Sequence, residues 1–238
     1  MTTVLLVRHG RTTANDAGVL AGWTEGVSLD ATGQAQARAL AARLTPVPLV
    51  AVVTSPLQRC RETTDLLVGG RDVPVHPDDR LGEVRYGEWS GQELKKLAKE
   101  PLWKVVQSHP SAMTFPGEGG ESLRGMADRA VDAVRDWNSR LGSDKKESVY
   151  AVVSHGDVIK AILADALGMH LDQFQRLVVD PGSVSIVSYT PLRPFVLRVN
   201  DVVGDLSFLA PRKGTRRRRK AASSEASLGG GLGATDSA

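Results

Sequence analysis

Two histidines stand where apolar strands give way to loops. Arg8-His9-Gly10 follows the run Val4-Leu5-Leu6-Val7, and Ser154-His155-Gly156 follows Val149-Tyr150-Ala151-Val152-Val153. Ligands in open α/β sheets collect outside the carboxyl ends of strands, so the two imidazoles are expected to share one pocket. Arg8 adjoins the first of them, and Arg59 lies one turn inside the helix predicted after the strand Leu49 to Val53. A planar guanidinium grips a phosphoryl group through two parallel hydrogen bonds, which lysine cannot do. The set reads as a small electropositive cup for a dianion. A helix start at Thr54-Ser55-Pro56 or at Asp157 would add backbone donors.

That cup implies a division of labour. One imidazole must be neutral to attack phosphorus, while the other, if protonated, stabilises charge on the equatorial oxygens. The leaving oxygen needs a proton, and a glutamate whose pKa is raised toward neutrality is suited to giving it and then activating water. Glu83, in Leu81-Gly82-Glu83 after the third predicted strand, is the better placed candidate, with Glu88 as its rival. Metal ligation by His9 and His155 is disfavoured, because flanking arginines repel a dication and no carboxylate or thiol cluster at ligand spacing accompanies them. No metal or other cofactor is therefore expected. His76, His109 and His170 lack convergent partners and read as surface or capping groups, and Cys60 reads as a packed thiol.

The elements that must hold these groups alternate between strand and helix. Predicted strands run over Thr3 to Arg8, Leu49 to Val53, Val73 to His76 and Val149 to Val153, with a hairpin of Val184 to Tyr189 and Phe195 to Val199 at the sheet edge. Predicted helices cover Asp30 to Leu44, Thr54 to about Val68, Gln92 to Ala98, Glu121 to Leu141 and Asp157 to Leu167. Leu123, Met126, Ala130, Val134, Trp137 and Leu141 recur at three and four residue spacing, the clearest helical stripe in the chain. The alternation argues for a three-layer α/β/α sandwich with a mostly parallel central sheet. Residues 92–120, broken by prolines and glycines, read as a short helix and a cap over the sheet end. Trp103 and Phe115 within them are either core or an apolar wall against the substrate.

Length and charge set outer bounds. The 238 residues, 41% of them apolar, suit one domain over residues 1–205 followed by a tail. Of the 30 Lys/Arg and 27 Asp/Glu, seven and two fall within residues 211–238, so that segment carries +5 and the remainder −2. The basic character belongs to the tail. Residues 206–238, arginine-rich and then Ala/Ser/Gly-rich, have too little apolar surface to order themselves and are expected to be disordered. Weak, nonspecific contact with nucleic acid or another anion is the most such a run implies. No membrane span and no signal-peptide pattern is visible, so a cytoplasmic location is expected. The edge strand Phe195 to Val199 leaves a homodimer open without any distinctive signal for one.

Five blocks, in order, carry a resemblance. Arg8-His9-Gly10-Arg11-Thr12-x-x-Asn15, Ser55-Pro56-Leu57-x-Arg59-Cys60-x-x-Thr63, Leu81-x-Glu83-x-x-x-Gly87-x-Trp89-x-Gly91, Pro116-Gly117-x-x-Gly120-Glu121-Ser122 and Ser154-His155-Gly156 resemble the histidine phosphatase superfamily, the phosphoglycerate-mutase-like clan. The resemblance implies that His9 is the phosphorylated nucleophile, that Arg8, Arg59 and His155 hold the phosphoryl group, that Asn15 lies at the pocket rim and that Glu83 donates the proton. Arg11 stands where the family usually has glutamate or glutamine, which would bring extra positive charge toward the substrate. The insertion that cofactor-dependent phosphoglycerate mutases carry after the glutamate block is not recognisable. The expected activity is therefore metal-independent hydrolysis of a small phosphorylated metabolite through a phosphohistidine. A mutase and a noncatalytic phospholigand-binding module are the alternatives.

Overall fold

A computed structural model describes residues 1–142 and 148–202. Six strands form one sheet: β1 (Thr2–Arg8), β2 (Leu49–Thr54), β3 (Val75–Pro77), β4 (Ser148–Ser154), β5 (Val184–Tyr189) and β6 (Pro194–Asp201), in the spatial order β3-β2-β4-β1-β5-β6. The first four run parallel; β5 lies antiparallel beside β1, and β6 lies antiparallel beside β5 at the edge. Side chains alternate across a strand, and here the alternation separates two cores. Val4, Leu6, Val53, Tyr150 and Val152 face one side, packing with the helices α6 (Leu123–Leu141) and α7 (Gly156–Ala166). Leu5, Val7, Val52, Ala151 and Val153 face the other, against α2 (Ala31–Leu44) and α3 (Gln58–Val68). The result is the three-layer sandwich.

Several element boundaries moved for identifiable reasons. α3 begins at Gln58, because Leu57 is still extended and its N–H is taken by the Ser55 hydroxyl at 3.3 Å; Pro56 lies ahead of the helix. β3 begins at Val75, since Pro74 has no N–H to give a ladder and contributes only its carbonyl, to Val52 N at 2.8 Å. The short helix α1 (Thr13–Ala17) went unread. It is closed at its start by a reciprocal capping box between Thr12 and Asn15 and at its end by Gly18 in the left-handed region. A 3-10 segment at Leu171–Arg176 was also missed.

Residues 92–120 hold α4 (Leu94–Leu97), α5 (Pro101–Ser108) and a 3-10 turn at Pro110–Ala112. Their apolar side chains Leu97, Trp103, Val106, Met113 and Phe115 are buried in the same cluster as the sheet residues on the α6/α7 side. Of the two readings of Trp103 and Phe115, the packing favours core over substrate wall: Phe115 packs edge-on against Tyr86 and Trp89, and Trp103 lies 6.3 Å from Trp89. Periodicity could not have decided this, because a wall and a core have the same composition. The basic tail lies outside the described residues. No helix among those described is long and apolar enough to cross a membrane.

Candidate active site

Strand register brings the site together. β1 and β4 are parallel neighbours with Arg8 opposite Ser154, so His9 and His155 leave adjacent strands at the same level, their ring centroids 5.2 Å apart. Thr54, the last residue of β2, lies opposite Val153, which delivers Ser55 to the far side of His155. The His9 backbone is fixed at both ends: its N–H donates to Ser154 O at 3.0 Å, and its carbonyl accepts from Gly182 N at 3.1 Å. Gly10 is required by contact, since a Cβ there would stand 2.4 Å from the carbonyl oxygen of Gly33 at the start of α2.

Arg59 settles both tautomers. It reaches His9 Nε2 through Nε at 3.3 Å and His155 Nδ1 through Nη2 at 3.2 Å, while Nη2 also donates to Gly22 O at 2.9 Å. A guanidinium only donates, so both ring nitrogens facing it carry lone pairs. His9 then holds its proton on Nδ1, given to Gly10 O at 2.8 Å, and leaves the Nε2 lone pair facing the centre. His155 holds its proton on Nε2, given to Ser55 Oγ at 2.8 Å. Burial, then the charges of Arg59 and its neighbours, hold both imidazoles well below their ordinary 6.5. Both rings are therefore held in the neutral form.

Glu83 lies where it can exchange a proton at this centre. Its Oε1 accepts from Val84 N at 2.9 Å, and its Oε2 is 3.8 Å from His155 Nδ1. Burial pushes its carboxyl up to about 7; the Asp157 carboxylate adds to the rise and Arg59 opposes it. Glu88 is elsewhere, its side chain against Gly117. Arg8 is fully buried, donates to Val179 O at 2.8 Å, and is lowered to about 10 by burial despite the acids Glu83, Asp157 and Asp180 around it.

The outer residues expected at the site have other partners. Asn15 Oδ1 accepts from Thr12 N at 3.1 Å and Thr12 Oγ1 at 2.9 Å, as part of the α1 cap. Arg11 is turned to Asp30 at 2.7 Å, Asp16 at 3.4 Å and Thr32 at 3.0 Å, so its charge is balanced locally by two carboxylates. His170 caps the 171–176 segment and His76 stacks near Trp137. Cys60 Sγ is 3.5 Å from His155 Nε2, with a thiol that burial pushes up to about 12, so it packs as a neutral group. Among the described residues no group of three or more His, Cys, Asp or Glu is placed to hold a metal ion.

Three groups near the centre escaped the reading of the sequence. Ser55 was read as part of a helix start and of the second family block, with no role at His155. Asp157 and Lys160 are buried together on α7, with Tyr86 donating to Asp157 Oδ2 at 3.1 Å and Lys160 Nζ 3.5 Å from Oδ1. Asp157 at the head of the apolar run Val158 to Ala164 and Lys160 inside it were the available signal. Arg129 lies on α6 off its apolar stripe, where nothing in the sequence links it to Glu83.

Comparison with known proteins agrees with this geometry. The model for the histidine phosphatase superfamily (branch 1) matches residues 4–202. The chain is 29% identical over 184 residues to a 2,3-bisphosphoglycerate-dependent phosphoglycerate mutase 2 of Gloeobacter violaceus, covering 76% of this chain and 82% of the relative. It is 36% identical over 168 residues to a metal-independent phosphoserine phosphatase of Arabidopsis thaliana, covering 68% and 67%. The solved structure of Bacillus stearothermophilus YhfR superposes with a TM-score of 0.75 at 28% identity, over 83% of this chain and 96% of that one. With the strand-end histidines, the bridging arginine and the buried glutamate in one centre, and the family's pattern spanning almost all the described residues, the chain belongs to the histidine phosphatase superfamily, branch 1.

Proposed function

We propose that the protein hydrolyses a small phosphomonoester, with His9 as the group that takes the phosphoryl and Glu83 as the group that protonates the leaving oxygen. The observation that carries this reading is the Arg59 guanidinium lying between two inward-facing lone pairs, His9 Nε2 and His155 Nδ1. A phosphoryl group entering there meets a nucleophile on one side and an arginine fork on the other. Its negative charge also raises the proton affinity of His155, turning that imidazole into a donor to the equatorial oxygens. Departure of the alkoxide takes the Glu83 proton. The resulting carboxylate then draws a proton from the water that attacks phosphohistidine, which restores both groups.

Hydrolysis is favoured over mutase chemistry by a count of buried cations. Among the described residues these are Arg8, Arg59 and Lys160, and Lys160 faces Asp157. Two arginines serve one phosphoryl group. They leave no second buried set for the other end of a bisphosphate, which a phosphoglycerate-type mutase must retain. The relatives act on small phosphoesters of different kinds, and the chain is assigned here only to that class.

Rapid-quench labelling with a radiolabelled phosphomonoester should give acid-labile, alkali-stable label, and His9→Ala should lose both label and turnover. Full turnover by that variant would sink the assignment. A screen of sugar, glycerate, amino-acid and nucleotide phosphates, scoring released phosphate against isomerised ester, separates phosphatase from mutase. A protein that binds these esters and releases nothing would be a binding module instead.

A further inference from the structure

Residues 80–83, which carry the proton donor, belong to no strand: a 3-10 turn covers Asp79–Leu81 and extended backbone follows at Gly82. Their carbonyls must therefore find partners outside any ladder. Each does so through a side chain. Leu81 O accepts from Ser154 Oγ at 2.7 Å, Glu83 O accepts from Trp23 Nε1 at 2.6 Å, and the remaining contacts come from one residue, Arg129. Its Nη1 donates to Arg80 O at 2.7 Å and Gly82 O at 2.8 Å, and its Nη2 donates to Glu83 O at 3.0 Å.

The rest of that guanidinium is committed to Glu121. Nε donates to Oε2 at 3.1 Å and Nη2 donates to Oε1, so all five N–H groups of Arg129 are used. Glu121 is held in turn, since its Oε1 also accepts from Arg85 N at 2.8 Å and its own N–H donates to Arg85 O at 2.9 Å. The carboxylate thus orients the arginine, and the arginine gathers three carbonyls spaced over four residues. No other residue type has the donors to do both.

We infer that Arg129, oriented by Glu121, is the positioning residue that fixes the Glu83 carboxyl for protonation of the leaving group. This rests on the reading of Glu83 as the proton donor. A shift of about 1 Å in a reacting group lowers a rate roughly 100-fold, and the segment has no ladder to resist such a shift. A device of this kind has a signature that ordinary structural support lacks. It matters when the leaving oxygen needs a proton and not when it does not.

The test compares kcat/KM for a simple alkyl phosphate and for 4-nitrophenyl phosphate, whose phenolate leaves without protonation. This parameter contains no step after leaving-group departure, so it excludes the later hydrolysis of phosphohistidine. Glu83→Gln sets the scale, with a fall of about 100-fold or more for the alkyl ester and a much smaller one for the aryl ester. Arg129→Met should follow the same pattern at about 10- to 100-fold for the alkyl ester. Arg129→Lys, with three donors on a point charge, and Glu121→Gln should fall between it and the parent. They also keep the test alive should Arg129→Met not fold. Equal losses on both esters, or none, would overturn the inference. Discrimination by Glu83→Gln but not by the Arg129 and Glu121 variants rejects positioning alone. No discrimination by Glu83→Gln rejects the donor assignment and the inference resting on it.

Discussion

At the scale of single residues, Glu83 is a carboxyl whose burial outweighs its two arginine neighbours. Its pKa is raised from the ordinary 4.5 to about 7. Between those values the folded protein binds the proton that the unfolded chain has lost, so this group lowers stability as pH rises through that window. The penalty is absent below about 4.5 and complete above about 7. Glu83→Gln removes it, so thermal melts should show the variant more stable than the parent at pH 8 and indistinguishable from it at pH 4. In the parent, kcat/KM for an alkyl phosphate should decline as pH rises past about 7, and the variant should lose that alkaline limb. A melting difference that ran the other way would mean that the folded site prefers the carboxylate.

Ser55 acts at the same scale. Its Oγ takes the His155 Nε2 proton, and in Ser55→Ala only the weak acceptor Cys60 Sγ at 3.5 Å remains nearby. An unsatisfied buried donor costs about 1–3 kcal/mol, and the alternative tautomer would aim an N–H at Arg59. Urea unfolding should report a loss of that size, together with a lower kcat/KM. Unchanged values in both would show that the hydroxyl is not what fixes the ring.

At the scale of elements, the site depends on how closely β1 approaches α2. Gly10→Ala would set a methyl 2.4 Å from Gly33 O, a backbone atom that cannot step aside without moving the helix start or the His9 peptide. Overpacking of this kind costs about 1–3 kcal/mol, and here the displaced peptide carries His9, the proposed nucleophile, so activity should fall with stability. Gly168→Ala is the useful contrast. Gly168 has φ 66° with open space around it, so alanine there should cost about 1 kcal/mol through backbone strain alone and leave turnover intact. Circular dichroism melts and phosphate release on both variants separate contact from conformation. Elements were also where the sequence was most legible: short continuous apolar runs named the strands buried on both faces, and the 3–4 spacing named α6. Boundaries set by Pro74 and by the Ser55 hydroxyl were not legible, because they depend on a partner strand and a turn.

At the scale of the whole molecule, every group assigned to the centre lies between Arg8 and Lys160, and the family pattern ends at residue 202. Truncation after residue 210 should therefore leave phosphate release unchanged, and loss of most turnover would show that the basic tail reaches the site. Chelator treatment should likewise leave the rate unaltered, as the two arginines supply the positive charge that a dication would otherwise provide.

The sequence by itself determined the chemistry, because reactivity resides in residue types: an imidazole at a strand end, a guanidinium entering a helix, a glutamate after a turn. It also determined the layered architecture, since periodicity is local. Only the tertiary structure decided which groups support that chemistry. Ser55 meets His155 across 100 residues of chain, and Arg129 meets Glu83 across 46. Contacts over such separations depend on register and packing that a linear pattern does not encode. The same holds for Arg11 and Trp103, whose types suited a substrate pocket but whose partners, Asp30 for one and Trp89 for the other, only the packing supplied.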